Sequence, residues 1–275
     1  MMTKLFTAKI DKIQDKGNAF KVTFQSPPDG FDLKPGQYIE VYSDNDSGLK
    51  KPLYLAATLA SKRPGFFKVN AGKPQDPAVE REWLFLQAQE EEKMQIRGPF
   101  GRAFPLEKIE NHPLLLIIAG SGFASVQSIF SRLLENEHTK LLYTAKTLHD
   151  IQWMKKVKML ATQDKNYITL TREEVALEGF KFGRLNQHLS SMPITEDTRV
   201  FICGPTGFLR DMSQILLDKQ LEMANIHVIL NTILPGKEDM CPIFSLDELS
   251  DDEILHAIGL KYSRLDLEPQ QINRI

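Results

Sequence analysis

Cysteine is nearly absent from this chain: 275 residues hold two, Cys203 and Cys241. Two are too few for a disulfide framework, a four-cysteine zinc site or an iron–sulfur cluster. The six histidines show no H-x-x-x-H or similar spacing, so no resident metal is expected. No apolar run approaches the roughly 20 residues that a membrane-spanning helix needs. The N-terminus, Met-Met-Thr-Lys-Leu-Phe-Thr, leads into alternating charge and has no signal-peptide core, which makes the cytoplasm the expected location. Lys and Arg number 34 against 36 Asp and Glu, giving a net charge of −2. That near-balance, without any basic run, excludes the electrostatic footprint of a nucleic-acid or membrane-surface binder. Any redox chemistry must therefore come from an organic cofactor.

What is present divides into two patterns, and the length suits two domains. From Thr3 to about Phe104 the chain reads as β structure. Phe20, Val22 and Phe24 alternate with Lys21, Thr23 and Gln25, as a half-buried strand requires. Pro27-Pro28-Asp29-Gly30 and Lys34-Pro35-Gly36 are turns. Further strands are predicted at 37–42, 52–57, 66–69 and 93–97. This spacing predicts a small antiparallel β-barrel, with a short helix at 77–88 over its open end. Gly98-Pro99-Phe100-Gly101 supplies a sharp exit from the last strand.

From about His112 strands and helices alternate. Leu114-Leu-Leu-Ile-Ile-Ala is a continuous apolar run, right for a strand buried on both faces. Gly120-Ser121-Gly122 follows, then Val126, Ile129, Phe130, Leu133 and Leu134 at helical spacing. Strand, glycine turn and helix in that order suit a dinucleotide, because the first N–H groups of a helix face an anion. The motif reads G-x-G-x-x-S, without the usual third glycine, and 142–147 carries no acid for a ribose. An ordinary tight βα turn is the competing reading. Strands are predicted at 140–144, 166–170, 199–203 and 227–231, and helices at 148–161, 184–190 and 208–219. The pattern is a parallel, doubly wound, Rossmann-like sheet, in which ligands bind beyond the carboxyl ends of the strands. Gly120–Gly122, Thr147, Thr171-Arg172 and Cys203-Gly204-Pro205 all fall at those ends.

These residues resemble the ferredoxin–NADP reductase superfamily of flavin reductases, over roughly residues 3–231. Leu33-Lys-Pro-Gly-Gln37-Tyr is similar to the family's approach to its third strand, and Gly98-Pro-Phe-Gly101 to its exit from the barrel. Ala119-Gly-Ser-Gly122 resembles its pyrophosphate turn, Cys203-Gly-Pro205 its C-G-P motif beside the nicotinamide, and Gly183-Arg184-Leu its G-R-[VL] segment. The resemblance implies a flavin-binding barrel at 1–108, an NAD(P)-binding domain at 109–234 and a C-terminal extension at 235–275. It further implies an NAD(P)H-dependent oxidoreductase with FAD, using NADPH or NADH and passing electrons to a separate redox protein or a small acceptor.

The implied dinucleotide contacts are Gly120, Ser121, Gly122, Thr147 for a ribose, Arg172 for a 2′-phosphate, and Gly204 and Pro205, with Cys203 as the catalytic position near the rings. Glu173 and Glu174 beside Arg172 would repel a 2′-phosphate, which leaves NADH open. On the flavin side the implied contacts are Lys51, Leu53, Tyr54, Arg81 and Gly98. There the chain departs from the family. R-x-Y-[ST] is replaced by Lys51-Pro52-Leu53-Tyr54, which loses the bidentate guanidinium fork. Near Trp83 the family's G-x-x-[ST] is missing. A second reading follows, a non-catalytic binding module that kept the fold and lost the flavin. In the extension, Ser250-x-x-Glu253 predicts a capping box for a helix carrying Ile254, Leu255, Ile258 and Leu260, read either as packed on the body or as a docking element or flavin cover.

Overall fold

The computed structural model describes residues 5–15, 19–27, 31–42, 53–57, 64–72, 93–101, 103–105, 109, 111–123, 125–127, 129, 137–230 and 243–260. Lys51, Arg81, Cys241 and the helix expected at 77–88 lie outside these. Six strands form the first sheet: β1 (Leu5–Asp15), β2 (Ala19–Gln25), β3 (Tyr38–Tyr42), β4 (Leu53–Ala57), β5 (Phe66–Gly72) and β6 (Lys93–Phe100). They close into a barrel in the order β1-β2-β5-β4-β3-β6. Every pair is antiparallel. The period-2 alternation puts Val22, Phe24, Ile39, Val41, Val69, Met94 and Ile96 inside, where they form the barrel's core with Phe31 and Phe67.

The second sheet has seven strands: β7 (Leu114–Ala119), β8 (Thr139–Ala145), β9 (Tyr167–Leu170), β10 (Phe180–Phe182), β11 (Arg199–Cys203), β12 (Ile226–Ile229) and β13 (Ile243–Ser245). Their order is β10-β9-β8-β7-β11-β12-β13. All pairs are parallel except β12 with β13. Burial on both faces explains the unbroken apolar runs. Leu114, Leu116 and Ile118 point into one core with Phe123, Val126, Val157 and Leu160. Leu115 and Ile117 point into the other, with Leu185, Leu189, Met212 and Leu216. The helices involved are α1 (Met154–Ala161), α2 (Leu185–Ser191) and α3 (Thr206–Asp218).

Three local differences from the sequence reading have physical causes. The helix expected from 148 begins at Met154, because Thr147 and Asp150 close a separate capped 3₁₀ turn and Trp153 is left-handed at φ 57°. Phe180–Phe182 is an added edge strand on β9. In the 235–275 stretch, β13 extends the sheet, and α4 (Asp251–Ile258) sinks Ile254, Ala257 and Ile258 into the second core. Its Ser250 cap is present, with Glu253 N–H donating to Ser250 Oγ at 3.3 Å. Helix α4 is thus packed on the body, with Leu255 on its exposed side.

Two histidines give the second sheet a pH dependence. His227 stacks on Phe201 at 4.6 Å, and burial, helped by Arg199 and opposed by Glu248 and Asp247, lowers its pKa. His188 stacks on Tyr167 at 3.6 Å and is lowered by burial, Lys181 and Lys140. A folded-state pKa below the ordinary 6.5 favours the neutral ring. Stability is then whole above that value and is lost as pH falls beneath it towards the folded-state pKa values. Thermal melting between pH 8 and 5 should show this decline, and His227→Phe combined with His188→Gln should flatten it.

Candidate functional site: the crevice between β7 and β11

From β7 the chain winds through β8, β9 and β10 on one side, then returns to lay β11 and β12 on the other. The turns leaving β7 and β11 therefore diverge, and a crevice opens between them at the carboxyl edge, where doubly wound sheets take their ligands. Cys203 pairs with Ile118 across this line. Ala119 runs into a 3₁₀ turn, Gly120–Gly122, that no side chain caps. Across the crevice α3 starts behind Pro205, again without a side-chain cap. Two backbone turns without side-chain caps thus leave the carboxyl ends of neighbouring strands β7 and β11.

The glycines are required for different reasons. Gly120 has φ +53°, and a Cβ on it would meet nothing within 4 Å, so the space above it is open. Gly122 lies tight: a Cβ there would stand 2.8 Å from both the carbonyl oxygen and Sγ of Cys203. On Gly204 a Cβ would reach Phe208 at 2.7 Å and the Cβ of Ala119 at 2.9 Å. Gly122 and Gly204 therefore let the two turns close on each other at the crevice floor. Cys203 is fully buried there, and burial pushes its thiol up to about 12 against a contact from Ser125 that lowers it. A thiol so placed is neutral at physiological pH and is no thiolate nucleophile.

The remaining strand ends extend the site sideways. Thr171 and Arg172 continue the sheet's hydrogen bonding, their N–H groups donating to the carbonyls of Ala145 and Lys146. Arg172 and Lys146 are exposed beside each other. Thr147 Oγ1 donates to Asp150 Oδ2 at 2.9 Å, so the hydroxyl read as a ribose contact is engaged locally. Asp150, beyond the 142–147 window, also accepts the Thr147 N–H at 3.0 Å and so caps this turn. Glu173 accepts the Leu148 N–H at 2.7 Å and is fastened to that turn. Among the described residues no group of His, Cys, Asp and Glu could hold a metal ion.

The motifs of the first sheet meet one another. Gln37 Nε2 donates to the Gly101 carbonyl at 2.7 Å, while its Oε1 accepts the Lys34 N–H at 2.9 Å. Phe104 N–H donates to the Pro35 carbonyl, and the Phe104 ring packs edge-on against Phe201 of β11 at 5.4 Å. The Lys-Pro-Gly-Gln turn therefore grips the barrel exit and sets it on the second sheet. Gly98, read as a flavin contact, is buried at φ +135°, where a Cβ would crowd the Tyr38 carbonyl at 3.2 Å. It lines a cleft of about 400 Å³ with Phe6, Phe31, Lys34 and Gln37. Strand β4 sets Tyr54 opposite Glu40 and Leu53 opposite the buried Val41.

A closed barrel followed by this sheet is the fold of the solved ferredoxin reductase-like structures on which the chain superposes. Residues 116–214 match the oxidoreductase NAD-binding domain family. The chain is 25% identical to a probable flavin reductase of Photobacterium leiognathi over 223 residues, 78% of this chain and 93% of that one. It is 24% identical to a flavohemoprotein of Oceanobacillus iheyensis over 208 residues, 71% of this chain but only half of the relative's length. A solved ferredoxin NADP+ reductase of Neisseria gonorrhoeae superposes with a TM-score of 0.63 at 18% identity, covering 82% of this chain and 98% of that one.

Proposed function

We propose that the protein is an NAD(P)H-dependent flavin oxidoreductase that takes electrons from a reduced nicotinamide through FAD to a protein or small-molecule acceptor. The observation that carries this reading is the switch point, where two turns without side-chain caps approach each other through Gly122 and Gly204 and the space over Gly120 is open. The match of 116–214 to an NAD-binding domain and the likeness to a flavin reductase support it.

The residues fit a dinucleotide. N–H groups of Gly120, Ser121 and Gly122 would hold its diphosphate, and Arg172 with Lys146 would meet the adenosine end, where a 2′-phosphate finds positive charge. Glu173, bound to the Leu148 N–H, is directed to the turn and leaves that charge less opposed. Gly204 and Pro205 would border the nicotinamide, with Cys203 a neutral floor that excludes water beneath it. For the flavin, Tyr54, paired with Glu40 on β4, would supply the aromatic that Leu53 does not. FAD, when bound, would accept the two electrons of the nicotinamide and hand them on. The chain's share is alignment and exclusion of water.

The departures at Lys51 and Leu53 favour one other reading, a module that binds a dinucleotide without flavin. Purified protein, reconstituted with excess FAD and freed of unbound flavin, is expected to retain visible flavin absorbance and to reduce an artificial dye with NADH or NADPH. No retained absorbance, with no dye reduction above a free-flavin control, would establish the module instead.

A further inference from the structure

Tyr143 is an aromatic hydroxyl in β8, a strand whose other residues are apolar, threonine or Lys140, and it lies beneath the glycine turn. Its ring is fully buried and tilts against Phe123 at 5.1 Å. Its hydroxyl donates to the Gly120 carbonyl at 3.1 Å and accepts the Gln152 N–H at 3.4 Å. Pairing explains the reach: Tyr143 stands opposite Ile118, two residues before Gly120 on the neighbouring strand.

The consequence lies in the peptide plane. In a trans peptide the carbonyl and the N–H of the next residue point in opposite directions. A Gly120 carbonyl drawn down onto Tyr143 therefore sends the Ser121 N–H the other way, out of the protein body and into the open side of the turn. Gly120 sits at φ +53° with open space around its Cα, and besides Tyr143 its carbonyl accepts the Phe123 N–H of the same turn, so the phenol is the side-chain half of what fixes that plane. The hydroxyl is also tied to Gln152, in the segment that follows the Thr147–Asp150 turn at the end of β8.

We infer that Tyr143 is the positioning residue of the dinucleotide turn, its hydroxyl holding the Gly120 carbonyl so that the Ser121 N–H is aimed at the bound diphosphate. The inference rests on the dinucleotide reading given above. Burial holds the phenol in its protonated, donating form well beyond neutral pH. Phenylalanine at this position would keep the ring and its packing and leave the peptide plane to the Phe123 N–H alone.

The test compares wild type, Tyr143→Phe and Phe123→Leu, each reconstituted with FAD, in steady-state dye reduction with NADH or NADPH and with reduced nicotinamide mononucleotide, which has no diphosphate. Loss of one oriented donor predicts a rise in KM for the dinucleotide of about fivefold to tenfold for Tyr143→Phe, with kcat retained. The KM for the mononucleotide should stay at the wild-type value. Phe123→Leu disturbs the ring's packing and keeps the hydroxyl, so it should lower the melting temperature without the KM split. An unchanged dinucleotide KM in Tyr143→Phe, or an equal rise for both nucleotides, would overturn the inference. A wild-type protein that neither oxidises nor binds the dinucleotide would instead overturn the reading beneath it.

Discussion

Gly179→Ala is expected to lower the melting temperature more than any other single-methyl substitution in the second sheet. Gly179 has φ +78°, and a Cβ there would overlap the carbonyl carbon and oxygen of Ala161 at the end of α1. The obstacle is backbone, which cannot rotate away as a side chain would. Left-handed strain of about 1–2 kcal/mol would add to an overpacking cost of about 1–3 kcal/mol. Against a total stability on the order of 5–15 kcal/mol, that is a drop of roughly 5–15 °C by calorimetry. Gly259→Ala is the control. Gly259 has φ +67°, and a methyl added to it would meet nothing within 4 Å, so it carries strain without the clash. Equal melting temperatures for the two variants would show that Ala161 does not confine Gly179.

The second large effect is expected at the crevice floor. Gly122→Ala would drive a methyl against the carbonyl and thiol of Cys203, forcing the turn after β7 away from the end of β11. The motion required is more than half an ångström, it falls where the diphosphate would lie, and misplacement of about 1 Å can cost around a hundredfold in rate. An increase of more than about tenfold in KM for the nicotinamide nucleotide is expected, with a fall in stability of about 1–3 kcal/mol. Adding Cys203→Ala removes the thiol and leaves the carbonyl, so rescue should be partial. Full rescue would mean that the sulfur alone sets the spacing. A wild-type KM in the single variant would mean that the turn does not bind the nucleotide.

How much of this was legible in the sequence depends on how far each feature rests on local pattern. The buried strands at 114–119 and 199–203 announced themselves because burial on both faces leaves an unbroken apolar run. The strand ends followed from them, and so did the crevice. Phe180–Phe182 was read only as part of a motif, since three residues held by parallel pairing to β9 have no period to detect. Thr147 and Asp150 were both visible, but their spacing as a capping pair was overridden by the helical period of Ile151, Met154, Val157 and Leu160. Gly122 was read as an approach for a ligand, whereas its nearest constraint is Cys203, 81 positions away in the chain and invisible to spacing. Tyr143 was passed over. Its one signal is a phenol in the strand beside a glycine turn, and the bond it makes belongs to tertiary structure.

The grip of Lys34, Pro35 and Gln37 on Gly101 and Phe104 has a mechanical meaning. A hinge between two halves needs a connecting segment whose hydrogen bonds are left to water. Here the segment leaving the barrel is bonded back to the barrel on one side and wedged against Phe201 on the other. Moving the second sheet relative to the barrel exit would have to break the packing of Phe104 on Phe201. Phe104 therefore acts less as a swivel than as a peg, pinned to the barrel by its backbone and to the second sheet by its ring.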